Sequence, residues 1–302
     1  MAKPQPMLRW AGGKRQLLDV LLAAFPKGFD PLKNVYFEPF LGGGAVFFAL
    51  ASYFTEIEIV ALKLRRNAFK LSDTNEELMN FYSVVRNRPK ELIDELTGLA
   101  KKCSEKDFYR VRETTPRDKV SRAARLLYLN RLCFNGLYRV NSTGIFNVPY
   151  GHLKNPMVCN SQLILKCSAW LKSADLAVNS FSSIVDTAKA GDLVYFDPPY
   201  IPLSASASFA SYVKEKFNET DQRQLATTIN ELTKKKVKVI LSNSDTLLSR
   251  EIFKNLNLFS ITANRSISAS GNSRGRVQEL VGTNYPNEIM RDDSKLKSSQ
   301  VN

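Results

Sequence analysis

The chain is short of the residues that carry most metal and nucleophile chemistry. It has one histidine, His152, and four cysteines, Cys103, Cys133, Cys159 and Cys167, none in a CxxC pair. A single imidazole excludes most His-based catalysis. A zinc site usually needs Cys and His ligands together, so no metal is expected. The segment MAKPQPMLRW lacks the apolar core of a signal peptide, so free thiols fit better than a disulfide framework. No run of 18 apolar residues occurs, so no membrane span and a cytoplasmic location are expected. Negative charge is also scarce: 29 Asp and Glu stand against 43 Lys and Arg, a net charge of +14. The excess is uneven, with 14 Lys or Arg against 4 Asp or Glu between Lys101 and Lys172. Such a stretch is either a solvated basic face or a polyanion footprint. Charge alone leaves nucleic acid and an anionic membrane surface both open.

What is present is an alternating pattern in 302 residues, enough for a large domain carrying a smaller one. No internal repeat is found. Strand-like runs lie at 35–38, 69–73, 176–180, 192–196, 237–243, 257–263 and 277–285, and helical stretches at 161–171, 219–234 and 245–254. Strands alternating with helices predict an α/β fold with a mostly parallel sheet. Residues 75–130 turn helical, with breaks at Pro89, Ser104 and Pro116, and 131–157 are rich in Asn, Gly and aromatics, as in a hairpin. The expected partition is a discontinuous catalytic domain, 1–74 and 161–286, interrupted by an insertion domain, 75–160. A disordered tail, 287–302, is expected to follow.

Three signals fall where ligands bind in such sheets, at carboxyl strand ends. EPFLGGG (38–44) ends a strand with glycines that let a ligand approach the backbone, or that simply turn the chain. Asp73 ends FKLSD and could accept hydrogen bonds from a ribose; it reads equally as the N-cap of the following helix, with Asn75 as competitor. In RWAGGK (9–14), Lys14 could pair with a carboxylate or be an ordinary surface lysine. Together they describe a ligand with a nucleoside and a carboxylate, which S-adenosylmethionine fits.

YFDPPY (195–200) places a carboxylate, Asp197, at the end of an apolar run, followed by two prolines and an aromatic ring. The amino nitrogen of adenine is a poor nucleophile because its lone pair is delocalised. Two acceptors, Asp197 and the Pro198 carbonyl, could hold its hydrogens and draw it towards tetrahedral geometry, with the prolines stiffening the backbone. Tyr200 could stack on the base. A target inside a duplex must first leave the stack, which demands phosphate and groove contacts.

On these motifs, with YLNRLCFNGLYRVNSTGIFNVPYG, ILSNSDT and RSISASGNSRGRVQEL, the chain resembles the Dam-type DNA adenine-N6 methyltransferases from about Met7 to Tyr285. The resemblance implies a Rossmann-like S-adenosylmethionine-dependent sheet with a target-recognition insertion, acting on double-stranded DNA at GATC; no obligate protein partner is evident in the sequence, and a monomer is expected. The same resemblance implies cofactor contacts from Trp10, Lys14, Glu38, Pro39, Phe40, Gly42, Gly43, Gly44, Asp73 and Asp197. It also implies that Arg9 contacts the first guanine, that Phe134 fills the gap left by a flipped adenine, and that Asn135 meets the orphaned thymine. Leu137, Arg139 and Pro149 would read flanking bases, and Ser204 lies in the loop implied to close over the adenine. Phe134 departs from the family's usual tyrosine, Arg9 stands where lysine is frequent, and residues 55–68 are longer than the family's link. Two rivals share parts of this pattern: an enzyme methylating amino groups of RNA or protein, and a DNA-binding module that has lost its cofactor.

Overall fold

Short apolar runs closed by a polar residue build the sheet. In the computed structural model, residues 3–10, 12, 14–54, 60–62, 65, 67–201, 217–264 and 276–287 are described. Ser204, part of the 55–68 stretch and tail residues 288–302 lie outside them. The strands are β1 (Tyr36–Glu38), β2 (Phe69–Asp73), β3 (Ala174–Val178), β4 (Leu193–Phe196), β5 (Lys238–Ser244), β6 (Asn257–Asn264) and β7 (Arg276–Thr283). They form one sheet in the order β3-β2-β1-β4-β5-β7-β6. β1 runs parallel to β2 and β4, and β4 parallel to β5, whereas β7 is antiparallel to β5 and β6. The chain is therefore an α/β protein with a mostly parallel sheet. The strand order turns back between β1 and β4, the switch point outside which ligands bind in open sheets of this kind.

Contacts divide the chain into two compact units. One comprises Met1–Arg15, Leu41–Asn67 and Ser72–Val178; the other comprises Gln16–Phe40, Ala68–Leu71 and Asn179–Asn302. These units follow contact density and cross the functional partition expected from the sequence. In the second unit Phe37, Val194, Phe196, Val239 and Leu241 of the strands meet Leu225, Ile229 and Leu232 of the helix Glu219–Lys234. Each such side chain contributes about 1.5–3 kcal/mol on burial.

The first unit is mostly helical, and its helices begin where side chains can satisfy exposed N–H groups. Asn75 caps α1 (Glu76–Asn87), Pro89 opens α2 (Pro89–Leu99), Ser104 caps α3 (Glu105–Glu113), Asp118 caps α4 (Lys119–Leu132) and Asn160 caps α5 (Ser161–Leu171). Pro116 lies in the connection before α4. Most expected strand bounds shift by one or two residues, and two of the differences, one in a strand and one in a helix, have a plain local cause. β3 ends at Val178 because Ser180 turns the chain, its carbonyl taking the Ser183 N–H (3.3 Å) and hydroxyl (2.9 Å). The helix expected over 245–254 is Leu247–Ile252, because Thr246 and Ser249 form a reciprocal cap at its start.

Candidate active site

In the first unit, the glycine-rich turn and Asp73 form one hydrogen-bonded corner. Leu41 N–H donates to the Ser72 carbonyl (3.0 Å), and Gly42 N–H donates to Asp73 Oδ2 (3.1 Å). Asp73 Oδ1 accepts from Asn75 N–H (2.9 Å). Asn75, not Asp73, caps α1, its side chain accepting from Leu78 N–H (3.2 Å), so the helix-cap reading of Asp73 is overturned. Burial pushes the Asp73 carboxyl above the usual range, against the pull of the N–H groups of Asn75, Gly42 and Thr74. Three N–H donors leave a carboxylate, with about four acceptor sites, room for a further hydroxyl donor.

Trp10 explains part of the glycine pattern. A Cβ on Gly42, where φ is 47°, would lie 3.0 Å from Trp10 Cδ1, and one on Gly43 3.1 Å from Trp10 Cβ. The indole stacks on Tyr138 at 5.1 Å between centroids. The Gly42 carbonyl accepts from the Tyr82 hydroxyl (2.9 Å). Lys14 is only 5% exposed and donates from Nζ to the Gly12 carbonyl, which removes the surface-lysine reading.

In the second unit, β4 is buried along its whole length and delivers Asp197 at its carboxyl end. Ser242 Oγ of β5 lies 3.0 Å from Asp197 Oδ1, and the Tyr195 hydroxyl 2.9 Å from Ser242 Oγ. A serine has one proton, which goes to the carboxylate, so Tyr195 must donate to Ser242. The resulting relay, Tyr195 to Ser242 to Asp197, sets the carboxylate's rotation. Burial first, and then the charge of Asp197, holds Tyr195 well above the usual phenol range, so it stays a neutral donor. Glu38, buried at the end of β1, accepts from the Tyr36 hydroxyl (2.8 Å).

The residues after Asp197 are braced from two other elements. The Pro199 carbonyl accepts from Gln222 Nε2 (2.8 Å), Ile201 N–H donates to Asn243 Oδ1 (3.2 Å), and Asn243 Nδ2 donates to Gln222 Oε1 (3.1 Å). Ser244 Oγ donates to the Ile201 carbonyl (2.6 Å). The Pro198 carbonyl accepts no hydrogen bond among the described residues. Tyr200 donates to Glu279 Oε2 of β7 (2.6 Å). Pro39 is buried beside Glu38, and Phe40 stacks on Phe181 (5.5 Å) with Phe196 and Phe217 edge-on, so that ring belongs to the core margin. Gln222, Ser242, Asn243 and Glu279 were not singled out as site residues by sequence reasoning; each acts across 21 to 79 positions.

In the hairpin of the first unit, Asn147 N–H donates to the Arg139 carbonyl (3.0 Å) and Asn141 N–H to the Ile145 carbonyl (2.9 Å). Cys133 bridges Tyr150, and Val140 bridges Phe146, both antiparallel. Phe134 N–H donates to the Pro149 carbonyl (2.9 Å), which brings those two predicted residues together. Phe134 is 44% exposed. Asn135, with φ 53°, is exposed beside it, as are Arg139 and Pro149, and Leu137 is half-buried. Arg139 donates from Nε to Asn147 Oδ1 (2.7 Å) and from Nη2 to the Asn147 carbonyl (3.3 Å). A guanidinium has five N–H donors, so this contact orients the group and uses two. All four cysteines are free thiols; burial pushes Cys133 up to about 11 and Cys167 up to about 12. No cluster able to hold a metal occurs among the described residues. Nor is any described helix long and apolar enough to cross a membrane.

In the second unit, a mostly parallel sheet ends β4 with a carboxylate at its switch point, where ligands bind in open sheets of this kind. Comparison with known proteins specifies the class. The chain belongs to the family of D12 class N6 adenine-specific DNA methyltransferases, whose pattern it matches over residues 10–267. It is 40% identical over 292 residues to the type II methyltransferase M1.LlaDCHI of Lactococcus lactis subsp. cremoris, covering 94% of this chain and 96% of that one. It is 35% identical to the DNA adenine methylase of Serratia marcescens (93% and 98% covered). To the DNA adenine methylase of Escherichia coli K12 the identity is 34% (96% and 98% covered). It is thus an adenine-specific DNA methyltransferase: its substrate is DNA, and its reaction requires a methyl donor.

Proposed function

We propose that the chain methylates the N6 amino group of adenine in double-stranded GATC, using S-adenosyl-L-methionine and releasing S-adenosyl-L-homocysteine. The observation that carries this reading is the pair of acceptors after β4. Asp197 is oriented by Ser242, and the Pro198 carbonyl accepts nothing among the described residues. Two fixed acceptors suit an amino group with two hydrogens, and the Asp197 charge opposes positive charge growing on nitrogen. Tyr200 supports the base as a stacking surface. When bound, the cofactor supplies an electrophilic methyl group on a sulfonium. The residues suit it: Asp73 keeps acceptor capacity for a ribose hydroxyl at a strand end, beside glycines with little side-chain bulk. Trp10, Lys14, Glu38, Pro39, Phe40 and Gly42–Gly44 complete the proposed cofactor set.

On this reading residues 1–74 and 161–286 catalyse, and residues 75–160 recognise the target. Phe134 fills the space of the extruded adenine, Asn135 meets its thymine, and Arg9, Leu137, Arg139 and Pro149 read neighbouring bases. Ser204 contributes to closure over the flipped base. The enzyme works as a monomer in the cytoplasm on chromosomal or phage DNA. The test uses methyl-labelled S-adenosylmethionine with GATC duplexes, single-base variants and double-stranded RNA. Label confined to N6 of adenine in GATC is the expected outcome. Label in RNA, or equal label in all duplexes, contradicts it. Calorimetry of the cofactor without DNA should show binding, which a cofactor-free DNA-binding module would not give.

A further inference from the structure

Helix α4 is buried on nearly every side, and at its last turn it carries one amide, Asn130, with no exposed surface. A buried amide must find partners for its donors and its acceptor. Asn130 Oδ1 accepts from Arg9 N–H (2.8 Å), and Nδ2 donates to the Arg9 carbonyl (2.7 Å) and to the Gly136 carbonyl (2.9 Å). Only one amide orientation satisfies this set, because the first partner can only donate and the other two can only accept. The side chain therefore pairs with both backbone groups of Arg9, as a neighbouring strand would, and holds the Phe134–Gly136 turn with its remaining donor. Gly136, with φ 64°, closes the contact from the other side: a Cβ there would come within 2.4 Å of Arg9 Cβ.

We infer that Asn130 is a positioning residue that couples recognition of the first guanine by Arg9 to placement of the orphaned thymine by Asn135, because one buried amide holds both backbones. The inference rests on the reading of Arg9 and Asn135 as DNA contacts given above. Neither backbone segment can shift without stretching bonds to the other, so a wrong base at either position disturbs both contacts.

The experiment is a double-mutant cycle of Arg9→Ala and Asn135→Ala on kcat/KM with GATC duplexes. It is run in the natural chain, in Asn130→Asp and in Gly136→Ala, with Tm measured for each protein. Asn130→Asp keeps the acceptor but turns an oxygen towards two carbonyls. Gly136→Ala displaces Arg9 with the amide left in place, and it decides the question if Asn130→Asp does not fold. In the natural chain the two substitutions should be non-additive by about tenfold; in both backgrounds the coupling should fall below about twofold. Coupling that persists in either folded background overturns the inference. So does a uniform loss over all duplexes that tracks Tm, which is the behaviour of a merely structural amide. If Arg9→Ala and Asn135→Ala each leave sequence discrimination unchanged in the natural chain, the DNA-reading assignment fails as well.

Discussion

The corner after β4 and the hairpin after α4 are built in opposite ways. The first ends a fully buried strand and is braced by Gln222, Ser242, Asn243, Ser244 and Glu279. The second presents exposed Phe134, Asn135, Arg139 and Pro149 on a loop with two isolated bridges, anchored from behind by Asn130. Bond-making needs acceptors held within a fraction of an ångström, which side-chain networks on a sheet supply. Sequence reading needs side chains that meet a partner arriving from solvent, so they stand on exposed backbone with a few orienting contacts. Damage to the corner should therefore lower turnover on every DNA alike, whereas damage to the hairpin should change the ranking of sequences.

The largest effect is expected at the corner. Asp197→Ala should lower kcat at least about 10³-fold with Tm little changed, because it removes the charge opposing the developing cation. Turnover within tenfold of wild type would remove Asp197 from the chemistry. Asp73→Ala should weaken S-adenosylmethionine by about 1.5–3 kcal/mol, the worth of charge-assisted hydrogen bonds. Calorimetry showing unchanged affinity would leave Asp73 as a brace of the Gly42 turn. In the hairpin, Arg139→Ala should cost about 1–3 kcal/mol and relax discrimination at one base pair, since arginine pairs bidentately with guanine. Asn147→Ala, which removes the side-chain acceptor of Arg139 Nε and keeps the carbonyl, should show the same relaxation more weakly. A uniform loss with a salt slope reduced by about one would mark a phosphate contact instead.

Much of this contrast was legible in the sequence, for local reasons. β2 and the helices at 161–171 and 219–234 have the expected bounds because caps such as Asn160 and Asn218 sit beside clear apolar patterns. The position of Asp197 after an apolar run was equally plain. Long-range partners were not legible. Ser242 meets Asp197 across 45 positions, Glu279 meets Tyr200 across 79, and Asn130 meets Arg9 across 121. Nothing in the local pattern distinguishes Asn130 from an ordinary helix asparagine until its neighbours are known. The Ser180 turn and the four-residue helix Ile184–Thr187 escaped for another reason: neither has a capping side-chain bond or enough length for a period.

Smaller effects sharpen the picture of the corner. Ser242→Ala should lower kcat about tenfold with KM for DNA unchanged, because Asp197 keeps its charge and loses its orienting bond. A change in KM alone would contradict that role. Asp73 gives a pH signature. Its folded-state pKa is raised, so the folded chain holds that proton more tightly than the unfolded chain. The associated stability is fully present below the unfolded value of about 3.9 and is lost as pH rises through the raised value. Asp73→Asn cannot titrate, so its Tm relative to wild type should rise between pH 4 and pH 7. A constant difference in Tm would show that burial does not perturb the carboxyl.

The central claim, methyl transfer to adenine N6 in GATC by this chain, is tested most directly on unmethylated plasmid DNA. After incubation with S-adenosylmethionine, single-molecule mapping of modified bases reports chemistry, position and sequence together. The expected result is N6-methyladenine at GATC on both strands, absent with Asp197→Ala. Modification at a different sequence, on a different base, or undiminished in Asp197→Ala would contradict it.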